Sequence, residues 1–138
     1  MKASNRPTRR IFLNYVRHFN KHILNRIVLW LAYKGIGPYS VVTHRGRRSG
    51  RIYKTPVLAS HVEDQIYIPL PYGDQVDWLR NVIAQSGCMV FCKGEETTAM
   101  DPEVIEAEVA LSFLPEGRRN LLDRPEVEKF LRLTRSEG

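Results

Sequence analysis

Between Thr43 and Arg51 the chain sets four arginines, two glycines and two hydroxyl side chains into nine residues, with Lys54-Thr55-Pro56 just behind. Gly46 and Gly50 permit a tight path in which backbone amides can turn toward a ligand. Arg45, Arg47, Arg48 and Arg51 add fork-shaped donors matched to phosphate or carboxylate. Such a loop is either an anion site or a solvated basic turn, and its own residues do not decide between them.

The charge distribution favours an anionic partner. The net charge is +6, but residues 1–62 hold thirteen Lys or Arg and no Asp or Glu, while all fifteen acidic residues fall in residues 63–138. A first half so one-sided suits a nucleic acid, a membrane surface or a polyanionic small molecule. Nucleic acid is the weakest of these, because the loop lacks interleaved aromatics for stacking. Nucleophile–base triads, paired catalytic carboxylates, and the Walker and dinucleotide glycine patterns are missing. His18 and His22 have ligand spacing but no third ligand. Cys88 and Cys92 lie four apart in one expected strand, about 13 Å, too far for a disulfide. No metal is expected, and the cysteines are expected to be small buried hydrophobes. An enzyme with these residues would leave the hard chemistry to a bound cofactor.

The elements that must position the loop are legible in the hydrophobic pattern. Residues 1–8 are polar. From about Arg9 to Lys34, Phe12, Tyr15, Val16, Phe19, Ile23, Ile27, Trp30 and Leu31 recur at helical spacing. This helix either covers the core or lies on an anionic membrane surface. Tyr39–His44 and Ile52–Ala59 read as strands flanking the basic loop, with Pro56 marking a bulge or an edge. Gln65–Leu70 is a third strand. Pro71-Tyr72-Gly73 leads to Asp74 as an N-cap, then a helix through Asp77–Ala84 that buries Val76, Leu79 and Ile83. Trp78 and Asn81 share another face of that helix and are expected to point together toward the loop. Gly87–Lys93 and Glu95–Met100 form a hairpin ended by Asp101-Pro102. Residues 103–125 give one or two short helices, and 127–134 a last strand in preference to a helix. About six antiparallel strands with few helices predict a mainly β, α+β fold: a small split or closed barrel in a single domain, with 1–34 as arm and helix and 39–134 as barrel.

The run Val41–Val57, a third strand, a Pro- and Gly-containing turn and then Asp77-Trp78-Leu-Arg-Asn81 together resemble the deazaflavin-dependent nitroreductase family. The resemblance covers roughly residues 10–100. It implies a flavin-binding-like split β-barrel that takes coenzyme F-420, an 8-hydroxy-5-deazaflavin, with FMN the lesser alternative. By the same resemblance Arg47, Arg48, Ser49 and Gly50 hold the phosphate and oligoglutamate tail, joined by Arg45 and Arg51. The ring is expected near Pro56, Val57, Leu70, Pro71, Tyr72 and Gly73, walled by Trp78 and Asn81. Tyr72 is the candidate for orienting substrate or relaying a proton.

The sequence departs from the family in two places. Its turn before the Trp is the short Leu70–Asp74, and Tyr53 stands where a basic residue is common, with Lys54, a further candidate cofactor contact, one place later and so on the other face. The expected activity is hydride transfer from the reduced deazaflavin to a quinone, enone or nitro compound. The alternatives are a non-catalytic module binding a ligand or an anionic membrane, and an FMN-binding relative. A cytoplasmic protein, with membrane contact at the inner face through residues 9–34, and a homodimer are compatible with this pattern.

Overall fold

The computed structural model describes residues 29–32, 34 and 39–136. Most of the expected N-terminal helix therefore lies outside the described residues, as do His18 and His22. Residues 29–32 are helical, and there Ala32 is buried while Trp30 is 58% exposed, with the Lys34 ammonium 5.9 Å from its ring.

Seven strands form one antiparallel sheet: β1 (Tyr39–Arg45), β2 (Ile52–Leu58), β3 (Ser60–Val62), β4 (Gln65–Pro69), β5 (Gly87–Cys92), β6 (Glu95–Glu106) and β7 (Lys129–Arg135). Their order is β2-β1-β5-β6-β7-β4-β3. β2 and β3 thus stand at opposite ends of the sheet, yet only Ala59 separates them in sequence. A sheet whose two outermost strands are one residue apart along the chain has to curl until those strands meet. That residue is also why seven strands appear where about six were expected: the single run 52–59 bends there and continues as β3.

Hairpin chemistry fixes the registers. Cys92 pairs with Glu95 across Lys93 and Gly94, both at positive φ (49° and 83°), as a two-residue mirror-image turn requires. Val62 pairs with Gln65 across Glu63-Asp64. Asp101-Pro102 does not end β6 as expected. The register shifts between Met100 and Glu103, with Asp101 at φ 55°, and pairing with β7 resumes to Glu106. A bulge leaves one position out of the ladder, which is where a residue without an N–H is tolerated. Pro56 is not at a bulge, since its register with Val41 is regular. It lies on the terminal strand of the sheet.

The period of two along each strand divides the apolar residues between two faces. Val42, Val57, Ile66, Ile68, Leu70, Val90, Leu131 and Leu133 turn inward, and α1 (Asp77–Gln85) adds Leu79 and Val82. Tyr67 and Phe130 turn outward, under α2 (Ala107–Phe113) and α3 (Glu116–Leu122), where Ala110, Leu114 and Leu122 cover them. Two details of α1 differ from expectation. Its N-cap is Val76, without a side-chain cap, because Asp74 instead accepts hydrogen bonds from Gln75 and from Lys129 (3.4 Å). Its buried residues are Leu79, Asn81 and Val82, with Ile83 47% exposed. The buried arc runs from Asn81 through Val82 to Leu79, and Ile83 lies about 40° beyond Leu79, at the solvent edge of that arc.

Candidate functional site

The β1–β2 loop closes on itself. Gly46 N–H donates to the Arg51 carbonyl (2.7 Å), Gly50 N–H to the Gly46 carbonyl (2.9 Å), and Arg51 N–H to Ser49 Oγ (3.2 Å). Gly50 sits at φ +73°, a left-handed position that suits glycine. Most of the loop amides therefore bond within the protein instead of turning outward as expected. Among the described residues, the amides of Arg48 and Ser49 have no such partner. Both residues are exposed.

The four arginines divide into two jobs. Arg47 is bound into the fold: its amide and Nη1 both donate to Asn81 Oδ1 (3.1 and 2.8 Å), and Nη2 reaches Asp77 Oδ1 at 3.2 Å. Arg45 donates to the Gly50 carbonyl (3.1 Å) and braces the loop. Arg48 and Arg51 are exposed, and their guanidinium groups make no hydrogen bond or ion pair with the other described residues. An arriving anion therefore meets Arg48, Arg51, two amides and Ser49 Oγ, a hydroxyl within 3.3 Å of the Tyr53 OH.

Beneath the loop runs a buried polar chain. Asn81 and His44 are 5% and 6% exposed. Asn81 Nδ2 donates to His44 Nδ1 (3.1 Å), and His44 Nε2 lies 3.0 Å from Thr55 Oγ1. Because Asn81 Oδ1 already accepts twice from Arg47, its amide nitrogen faces the histidine. The imidazole is thereby assigned as neutral, with Nδ1 accepting and Nε2–H donating to Thr55. Tyr53 stacks on the ring at 5.8 Å. Burial lowers the His44 pKa from its ordinary value, consistent with this neutral form.

His61 is shifted the same way, first by burial and then by Arg135 and Arg118, against an opposing effect of Glu95. A histidine with a depressed folded pKa binds fewer protons folded than unfolded, so acid favours the unfolded chain. We expect the melting temperature to hold above about pH 6.5 and to fall below it, until the pH is under both folded values. Asp74, lowered by Gln75 and Lys129, adds its own loss only nearer pH 4. A melting temperature that is flat from pH 7.5 to 5 contradicts this assignment.

The other sequence-selected residues are dispersed. Trp78 packs on the inner core, where Val57 and Leu70 are buried, while Asn81 reaches the loop as expected, through its bonds to Arg47. Pro56 and Lys54 face outward, opposite Val41 and Thr43, while Tyr53 faces inward with His44. Tyr72 is 87% exposed on the Pro71–Gly73 turn. That turn borders a cleft of about 280 Å³ lined by Leu70, Gly73, Asp74, Glu126, Glu128 and Lys129. A second cleft, of about 190 Å³, adjoins the basic loop and includes Thr43, His44, Arg45, Ile52, Cys88 and Met89. Cys88 and Cys92 are both free thiols, and burial pushes Cys88 up to about 12, so Cys88 is a poor nucleophile at neutral pH. The described residues contain no metal-ligand cluster and no helix long and apolar enough to cross a membrane.

No protein-family model and no curated protein matches the sequence. The fold does match solved structures. A Listeria innocua protein provisionally assigned as a pyridoxamine 5'-phosphate oxidase superposes with a TM-score of 0.53 at 12% identity, over 73% of this chain and 86% of that one. An F420 reductase gives 0.50 at 10% identity, over 78% and 93%. A protein of unknown function from Agrobacterium tumefaciens gives 0.50 at 16% identity, over 82% and 53%. The chain folds as a split β-barrel. Within this split barrel the sequence pattern did not show what holds the basic loop. Its signal was Asp77 and Asn81, one helical turn apart, a carboxylate and an amide facing a loop with no acidic residue of its own.

Proposed function

We propose that this split barrel binds an anionic flavin-type cofactor, a deazaflavin of the coenzyme F-420 kind in preference to FMN, and serves as a reductase of small electrophilic acceptors. The observation that carries the proposal is the loop tip. Arg48 and Arg51 have no protein partner among the described residues, on a loop held rigid by a buried asparagine and histidine. A turn whose only task was to join two strands would not need a buried polar support drawn from a helix more than thirty residues away.

The donor set fits a phosphate and a chain of carboxylates. Arg48 and Arg51 supply forked charged donors, and the Arg48 and Ser49 amides supply a short neutral pair. Arg47 and Arg45 keep that tip in place. A reduced deazaflavin supplies hydride, so the chain's own residues need only bind, orient and exclude water. Quinones, enones and nitro compounds are the acceptor classes that accept hydride. The cleft of about 190 Å³ that adjoins the basic loop is where the ring would begin, and a second copy of the chain could supply a further wall.

The test is an absorption titration of the purified protein with the deazaflavin and with FMN, followed by turnover assays on one quinone, one enone and one nitroarene. Tighter binding of the deazaflavin is the expected result. Indifference to both cofactors removes the proposal.

A further inference from the structure

We propose that His44 is the positioning residue of the basic loop: its neutral imidazole orients Asn81, Asn81 holds Arg47, and a proton on Nδ1 releases the loop. As a latch on the loop this stands by itself; as a control of anion binding it rests on the function proposed above.

Asn81 has one oxygen and one NH₂. The oxygen accepts both the amide and Nη1 of Arg47, and the NH₂ donates to His44 Nδ1. Protonation of His44 makes both ring nitrogens donors, and Nδ1–H then opposes the Asn81 NH₂. Rotating the Asn81 amide by 180° mends that contact only by turning its NH₂ onto the two Arg47 donors. Neither orientation satisfies both sides, and Asn81 is too buried for water to do so. The group that yields is the exposed one, which is the loop.

Titratable and charged groups face His44 from several elements. Tyr53 stacks on it from β2, Arg47 and Arg45 flank it from the loop and from β1, Asp77 on α1 is reached through Arg47, and Cys88 on β5 shares its cleft. Burial moves the Cys88 thiol further from neutral pH. Lys54 lies on the opposite face of β2.

The consequence runs against simple electrostatics. Adding a positive charge beside a cluster of arginines ordinarily strengthens anion binding. Here it loosens the tip, and a loop competent one time in ten binds about tenfold more weakly.

The experiment uses the wild-type chain and His44→Asn, whose Oδ1 can accept from Asn81 near the Nδ1 position and does not titrate. Amide exchange at Arg47 and sulfate-induced shifts of the Arg48 and Ser49 amides are followed by NMR from pH 7.5 to 5.0. Sulfate is the probe because its own charge is constant there. Expected in wild type is a loss of Arg47 protection, corrected for intrinsic exchange, and about tenfold weaker sulfate binding at the acid end; His44→Asn shows neither. The same course in both proteins overturns the proposal. So does an imidazole ¹⁵N spectrum of the wild type showing neutral His44 protonated at Nδ1, a measurement that needs no variant. Arg47 protection that titrates without any sulfate response at Arg48 and Ser49 sustains the latch and removes the anion site.

Discussion

Replacing Arg48 and Arg51 together by alanine should weaken deazaflavin binding about a hundredfold while leaving the fold intact. Each guanidinium can make charge-assisted hydrogen bonds to phosphate or carboxylate oxygens, worth about 1.5–3 kcal/mol apiece. Losing two groups at an exposed site, after allowance for solvent screening, amounts to about 2.7 kcal/mol, or two decades in affinity. Neither side chain bonds to the described residues, so stability should move by no more than about 0.5 kcal/mol. Arg47→Ala should behave in the opposite way. It strips Asn81 Oδ1 of a donor and Asp77 of its ion pair, so its first effect is on the melting temperature and its effect on affinity follows from the loosened loop. The check is a titration of each variant at two ionic strengths beside a thermal melt. Unchanged affinity in the double variant would mean that the tip is not where the anion sits.

Phe130→Ala should produce the largest loss of stability. Phe130 is 0% exposed on β7, a strand between β6 and β4, and it packs with Tyr67 beneath Ala110, Leu114 and Leu122. Truncating such a ring removes its transfer energy and leaves a cavity, about 3–5 kcal/mol in comparable sites. Against a typical total of about 5–15 kcal/mol this is a large fraction. Urea denaturation should show the midpoint fall with the slope retained. His44, which supports the loop, shares the inward face of β1 with Val42, away from Phe130, so sulfate binding to the folded fraction should persist. A loss below about 1 kcal/mol would show that the outer helices are not seated on this ring.

The alternation of apolar residues was enough to place β1, β4, β5 and β7 from the sequence, and the Lys93-Gly94 turn announced its hairpin. What escaped was set by contacts between distant parts of the chain. Nothing local in Leu58-Ala59-Ser60 distinguishes a strand that continues from one that bends onto the far side of a sheet. Asp101-Pro102 has the composition of a breaker, and only the partner strand β7 converts it into a bulge. Asp74 has the chemistry of a cap, but Lys129 and Gln75 take its oxygens. At the loop, four arginines looked equivalent because side-chain pairing across thirty-four residues leaves no mark on spacing. His44 was read only as a strand residue, although its alternation with Ser40 and Val42 already placed it on the buried face.

Ala59 has a meaning for solubility as well as for shape. Terminal strands of a sheet are templates on which other chains can add. Here the two terminal strands are consecutive, sealed to one another by a single peptide unit that is itself 1% exposed. A nick at this residue would remove little mass and few contacts, yet it would unfasten the only covalent link between the two rims. The two terminal strands, which have no ladder partner on their outer sides, would then be free to part, and each could recruit a neighbour.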